Sequence, residues 1–471
     1  MRTHSIPKGI LPAHRALFYD GGWHEPLSGL YTDTVNPCYN EVIMQAPVAD
    51  AADVDAAVRA AHAAFPAWAA TPPVQRGRLL RRAAAILREH APALAQLDAI
   101  NNGNPVSALA HDANFAADCL DYFAGLATEI KGETIPMGDG HFNYTVQEPL
   151  GVIARIVAYN HPLMFAAARL AAPLAAGNTV VVKAPDQAPL SLLRLAELVG
   201  DVFPPGVANF LCGGRDCGDA LGRHPLVRKV TLIGGVPTGK AVMKTAADSL
   251  KPVLLELGGK NALIAYPDAH LPALVDGIIG GMNFTWSGQS CGSTSRVFLH
   301  ESIHDQVLQD VIEQLPRRHR PGIPTDPKTT MGSLVSLAQL QKVEHYVRIG
   351  LEDGGRLVCG GRRPDDPQLK DGFFYEPTVF ADMQPHMRLA REEVFGPILS
   401  VFKWSDEDAL FEAVNDVDFG LTGAIWTRDL VTAHRAVRRI QTGYVWINNS
   451  SQHFMGCLLY TSDAADDTPC V

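Results

Sequence analysis

The sequence predicts an α/β protein built from two doubly wound, mainly parallel β-sheets, with helices ahead of them and a small β arm between. Three observations predict it. From Gly151 to Leu257, short β-branched runs alternate with amphipathic stretches, a pitch that lays each strand beside the last through a crossover helix. A second series of the same kind runs from Asn261 to about Asn448. The chain has 471 residues, of which 47% are hydrophobic, which suits two or three domains with sizeable cores.

The elements follow in order. Between Asp50 and Glu133 the chain is Ala-rich, and Val54, Val58, Ala61 and Phe65, then Leu79, Leu80, Ala83, Ile86 and Leu87, recur at helical spacing. At least three helices fit there. Turn residues Pro136, Gly138 and Gly140 then precede a near-alternating stretch from His141 to Glu148, which reads as an exposed strand pair or arm. Strands are expected over Val152 to Ala158, Thr179 to Lys183, Ala208 to Leu211, Lys229 to Ile233 and Val253 to Leu257. Helices are expected after Pro162 and Pro189, around Arg215 to Arg223, and from Pro237. In the second series, strands are expected at Asn261 onward, Arg296 to Leu299, Ile398 to Phe402 and Tyr444 to Ile447.

Charge and composition exclude several classes. With 40 basic and 50 acidic residues the net charge is -10, and no Lys/Arg-rich block points to nucleic acid. The N-terminus carries Pro7 and Pro12 and no continuous apolar run, so it does not read as a signal peptide. The longest apolar stretch, Leu163 to Val182, is broken by Arg169, Pro173, Gly177 and Asn178, which argues against a membrane span. Eight cysteines without paired metal-ligand spacing fit reduced thiols in the cytoplasm, with no metal site.

Four segments put polar residues at the ends of apolar strands, where an open α/β sheet binds its ligands. In Ala158-Tyr-Asn-His-Pro162, Asn160 sits in a turn before a helix, as a ligand or as a cap. Lys183 and Asp186 follow a fully apolar strand and suit the two hydroxyls of a ribose, or are solvated charges. In "KVTLIGGVPTGK" a strand, Gly234 and Gly235, and a helix start offer backbone N–H groups to a phosphate. Gly239 and Lys240 bring that segment near the P-loop pattern, but Ala241 replaces the hydroxyl that would hold magnesium. Glu256 lies inside an apolar strand, where a carboxylate needs a partner or a use for a raised pKa, such as general base catalysis. Cys291, in "NFTWSGQSCGSTSR", is by itself a nucleophile or a small packing residue.

These segments in this order, with Glu392-Glu-Val-Phe-Gly-Pro397 after them, resemble the NAD(P)-dependent aldehyde dehydrogenase superfamily over residues 15 to 456. "LELGGKN" followed by "GQSC", together with "AAPLAAGNTVVVKAPDQAPLSLLRLAEL", carries the resemblance. It implies a Rossmann-like NAD-binding domain (1–129 and 150–257), an oligomerisation arm (130–149) and an α/β catalytic domain (258–448). It implies Cys291 as the nucleophile, Asn160 at the oxyanion and Glu256 as the base that activates water. Lys183 and Asp186 would take the adenosine ribose, Gly234 and Gly235 the pyrophosphate, and Glu393 and Phe395 the nicotinamide riboside. Asp186 favours NAD over NADP, and the intact family member is expected to be a homo-oligomer acting on a small-molecule aldehyde. A coenzyme A-acylating dehydrogenase is the alternative reading; so is an inactive member of the fold.

Three departures from the family pattern carry further expectations. Tyr159-Asn160-His161-Pro162 stands where Trp-Asn-Phe-Pro is frequent, and Ala168 where a large aromatic is common, so a wide channel for bulky or aromatic aldehydes is expected. Residues 457–471, within CLLYTSDAADDTPCV, replace the family's final strand and resemble a translated adapter, so a non-native tail and weaker assembly are expected.

Overall fold

The structure, a computed structural model, describes residues 6–451. The tail expected to be non-native lies outside the described residues. The chain opens with strands β1 (Leu17–Tyr19) and β2 (Gly22–His24), then the hairpin β3 (Tyr31–Asn36) and β4 (Glu41–Pro47). Helices α1 (Ala51–Ala70), α2 (Pro73–Asn102) and α3 (Val106–Leu126) follow. The chain begins α1 at a reciprocal cap, in which Asp50 accepts from the Asp53 N–H and Asp53 accepts from the Asp50 N–H. Gly103, with φ of +86°, ends α2 in the left-handed conformation that glycine adopts without strain.

A fully exposed hairpin, β5 (Thr134–Pro136) and β6 (Phe142–Tyr144), stands where the arm was expected. The first βα series is then β7 (Val152–Ile156), α4 (Pro162–Ala175), β8 (Thr179–Lys183), α5 (Leu190–Val199), β9 (Ala208–Leu211), α6 (Arg215–Arg223), β10 (Val227–Ile233), α7 (Val236–Ala247) and β11 (Val253–Glu256). The second is β12 (Ala262–Ala265), α8 (Leu271–Gly281), β13 (Arg296–His300), α9 (Glu301–Arg318), α10 (Leu337–Glu352), β14 (Arg356–Cys359) and β15 (Thr378–Ala381). It continues through α11 (Arg388–Arg391), β16 (Ile398–Trp404), α12 (Glu407–Asn415), β17 (Thr422–Trp426), α13 (Leu430–Arg439) and β18 (Tyr444–Ile447).

Two seven-stranded sheets result, ordered β11-β10-β7-β8-β9-β1-β2 and β14-β15-β16-β13-β12-β17-β18. In each, the βα strands run parallel, and the antiparallel members (β1, β2 and β14) lie at an edge. Successive residues of a strand feed opposite faces. Val180 and Val182 pack with α2, α4 and α5, while Val181 packs with α1 and α6. The second sheet divides likewise: Ile264 faces α10 and α12, and Leu263 and Ala265 face α8 and α9.

The order in the first sheet makes a switch point. After β7 the chain builds outward through β8 and β9, then returns to place β10 on the other side of β7. The loops leaving β7 and β10 therefore diverge, opening a crevice at their carboxyl ends.

Seven observed strands, β1–β4, β14, β15 and β17, were not anticipated from sequence. They are short or carry polar residues, and a run such as TVFA has no periodicity of its own. Only pairing to β14 and β16 makes β15 a strand.

Candidate active site

A cavity of about 330 Å³ occupies the crevice. It is lined by all nine residues singled out in the sequence: Asn160, Lys183, Asp186, Gly234, Gly235, Glu256, Cys291, Glu393 and Phe395. Each arrives on a different feature of the two sheets. Asn160 stands between β7 and α4, Lys183 ends β8, and Gly234 and Gly235 join β10 to α7. Glu256 ends β11, the outer strand beside β10, with its backbone in register with Ile233.

Cys291 comes from the opposite sheet, on the loop that enters β13, and its position is held from several directions. Asn261 Nδ2 donates to the carbonyls of Cys291 (2.7 Å) and Ser293 (3.0 Å), while Asn261 Oδ1 accepts from the Thr422 N–H at the start of β17 (3.1 Å). On the other flank, Gln289 Oε1 accepts from the Val335 N–H (3.1 Å) and Ser287 Oγ donates to the Gly332 carbonyl (2.7 Å). The backbone of Asn283 (φ +57°), Ser287 (φ +53°) and Gly288 (φ +67°) is left-handed in this loop. For a non-glycine residue that conformation costs on the order of 1 kcal/mol, and it persists because the surrounding bonds hold it.

The loop between β11 and β12 explains its own glycines. A Cβ on Gly258 would lie 2.1 Å from Glu393 Oε2, and one on Gly259 would lie 2.9 Å from the Cys291 carbonyl. Because both lack one, the Gly259 N–H can donate to Glu393 Oε1 at 3.0 Å. Phe395, with φ of +57°, meets Tyr159 edge to face at 5.8 Å.

Asn160 is 3% exposed; its carbonyl accepts from Asn104 Nδ2 (2.8 Å), and its own carboxamide has no hydrogen-bond partner among the described residues. Lys183 Nζ donates to Asp186 Oδ1 (2.8 Å), joining a buried cation to a half-exposed acid. Burial pushes the Glu256 carboxyl up, and Arg169, 4.0 Å away, pulls it back only in part. Burial also raises Glu393, against the Gly259 N–H and Lys342 and Lys260. The Cys291 thiol is pushed up to about 12, first by burial and then by the charges of Glu256 and Glu393. A partly buried thiol, an unpartnered amide donor and an acid with reduced acidity thus converge on one volume.

Several lining residues were not anticipated. Lys342 and Gln339 project from α10, and Gln339 Nε2 donates to the carbonyls of Val394 (3.1 Å) and Phe395 (2.8 Å), fixing that loop. No local signal in α10 marks them. Lys260 and Asn261 lay inside the quoted "LELGGKN", yet their roles come from contacts across the fold; burial lowers the Lys260 ammonium to about 7. Gly239, part of the near P-loop pattern, packs its α-carbon toward Leu257 inside α7. A second cavity of about 390 Å³ shares Ile156, Lys183, Asp186 and Thr238 with the first and continues between α6 and α7. Among the described residues there is no cluster of His, Cys, Asp and Glu able to hold a metal, and no helix long and apolar enough to cross a membrane.

Residues 23–457 match the aldehyde dehydrogenase family, and the chain belongs to that family. It is 54% identical to aldehyde dehydrogenase tropH of Talaromyces stipitatus over 94% of this chain and 88% of that one. It is 41% identical to betaine aldehyde dehydrogenase of Mesorhizobium japonicum over 92% and 88% of the two chains. Among solved structures, PnpE from Pseudomonas sp. WBC-3 is similar at a TM-score of 0.92 and 39% identity, covering 95% of this chain and 92% of that one. PnpE with nicotinamide adenine dinucleotide gives the same values. The NAD+ complex of an aldehyde dehydrogenase from Bacillus cereus has a TM-score of 0.91 at 34% identity, covering 95% of this chain and 91% of that one. The protein is thus an aldehyde dehydrogenase, with the α/β fold that the sequence predicted.

Proposed function

We propose that the chain oxidises its aldehyde to a carboxylic acid through a covalent intermediate on Cys291. The reading rests on one observation: Cys291, Asn160 and Glu256 line a single cavity with the residues expected at the cofactor. The Cys291 thiol gives up its proton to water as its sulfur attacks the aldehyde carbon, forming a thiohemiacetal. The Asn160 carboxamide and the Cys291 N–H stabilise the oxygen that becomes negative, a contribution of about 3 kcal/mol in comparable sites. NAD, when bound, supplies the hydride acceptor. Glu256 then takes a proton from water, which attacks the thioester and releases the acid. Its raised pKa suits that exchange.

The residues fit the cofactor. Lys183 and Asp186 offer a cation and an acid for ribose hydroxyls, and Gly234 and Gly235 let backbone N–H groups at the start of α7 approach a pyrophosphate. Glu393 and Phe395 face the nicotinamide end. In this reading residues 1–129 and 150–257 form the cofactor domain and 258–448 the catalytic domain. The hairpin over 130–149 is the arm through which copies of the chain associate, and it exposes Met137 (55%), Phe142 (77%) and Tyr144 (60%). The free cysteines among the described residues suit the reducing cytoplasm. Half-buried Ala168 leaves room for a bulky or aromatic aldehyde.

The test is NADH formation with an aldehyde panel, with and without coenzyme A. Cys291→Ala is expected to abolish turnover while NAD binding persists. Product that appears only with coenzyme A, as its thioester, would overturn the hydrolytic role of Glu256.

A further inference from the structure

Beside the reacting groups lies a buried charged cluster that the proposed chemistry does not use. His161 follows Asn160 and stands at the start of α4, its side chain 14% exposed. Its Nδ1–H donates to Asp112 Oδ2 of α3 at 2.9 Å, which leaves Nε2 without a partner among the described residues. Asp98 of α2 lies on the other side, accepting from the Leu163 N–H at 3.4 Å. Burial opposes a charge on the imidazole, but Asp112 and Asp98 outweigh it and raise its pKa. The Asp112 contact thus holds the ring in place, and Nε2 is a donor when the imidazole is protonated, the form that the two carboxylates favour.

The surroundings of His161 point to the aldehyde side of the site. Its ring meets Trp286 at 4.5 Å and Phe165 at 5.6 Å, both edge to face. Trp286 precedes Cys291 on the same loop, and Phe165, Ala168 and Arg169 continue the same face of α4 at helical spacing. Arg169, at the far end of that face, reaches Glu256 at 4.0 Å. The face therefore runs from His161 to Glu256 and borders, without lining, the cavity that holds Asn160, Glu256 and Cys291 together with Lys183, Gly234 and Glu393. Two aromatic rings, a small Ala168 and one oriented donor make a surface for a flat substrate with an acceptor on its ring.

On the proposed reaction, we infer that His161 determines specificity by donating Nε2–H to a hydroxyl, phenolate or carboxylate on an aromatic aldehyde, with Asp112 as its positioning residue. The substrate class is then hydroxylated or carboxylated aromatic aldehydes rather than unsubstituted ones.

The experiment measures kcat/KM by NADH formation for benzaldehyde, the three hydroxybenzaldehydes and 4-carboxybenzaldehyde. It uses the full chain, His161→Phe and Asp112→Asn, each with NAD binding as a check on folding. Wild type is expected to prefer at least one substituted aldehyde, and His161→Phe to reduce that preference by about tenfold or more, the range for one hydrogen bond to a charged group, with benzaldehyde little changed. Asp112→Asn, which keeps an acceptor for Nδ1–H but removes the charge, is expected to lose part of the preference. An unchanged ratio in His161→Phe, or an equal fall on every aldehyde including benzaldehyde, would overturn the inference. A wild type that binds NAD but oxidises none of the aldehydes would instead overturn the underlying reaction, and this inference with it.

Discussion

Cys291 illustrates how a residue's chemistry is set by neighbours far away in sequence. Burial first, and then two carboxylates, push its thiol up to about 12. Glu256 contributes by repulsion, and removing its charge must lower the thiol pKa. Glu256→Gln is therefore expected to do two things: slow product release by about a hundredfold or more, as loss of a general base does, and shift Cys291 alkylation to lower pH. Iodoacetamide labelling against pH, followed by mass spectrometry, reads the second effect separately from turnover. A labelling profile that does not move, or moves to higher pH, would show that the two side chains do not interact as described. Asn160 is the complementary case: its amide is free to serve a ligand because its backbone carbonyl, not its side chain, is tied down by Asn104.

Among the elements, the turn between β11 and β12 carries the most consequence for its length. Gly258 and Gly259 let one strand end approach both Glu393 and the Cys291 loop, so two sheets meet at a backbone with no side chain between. A methyl group at Gly258 would clash with the Glu393 carboxylate, 2.1 Å from Oε2, and push it away. Gly258→Ala is thus expected to raise KM for NAD by about tenfold, equivalent to roughly 1.4 kcal/mol, with little change in melting temperature. Initial rates at varied NAD and a thermal melt check it; an unaltered KM would argue that Glu393 does not hold the cofactor. The two sheets were legible as βα series because their strands are continuous apolar runs with both faces covered. The edge strands β14 and β2 were not, since half-buried residues leave no such pattern.

At the scale of the whole molecule, the exposed hairpin is the feature a lone chain does not explain. Its apolar side chains, Phe142 and Tyr144, pack on each other at 5.5 Å and face outward. A contiguous exposed apolar surface marks an association site. If the arm joins copies of the chain as proposed, replacing both residues with Asp is expected to shift the sedimentation coefficient toward the monomer while NAD binding is retained; an unchanged sedimentation profile would overturn that role for the hairpin. Expectations for the tail at 457–471 concern residues outside those described.

The sequence by itself determined the fold class, the family and nine of the residues that line the cavity, because each of those stands at a strand end or glycine turn whose motif is local. Tertiary structure alone decided what surrounds them. Asn261 reaches Cys291, Gln339 steadies the loop of Phe395, and Asp112 holds His161, all across long separations in the chain. Such pairings leave no local pattern: a hydrogen bond depends on where two elements meet, and that is fixed only when the sheets and their helices pack.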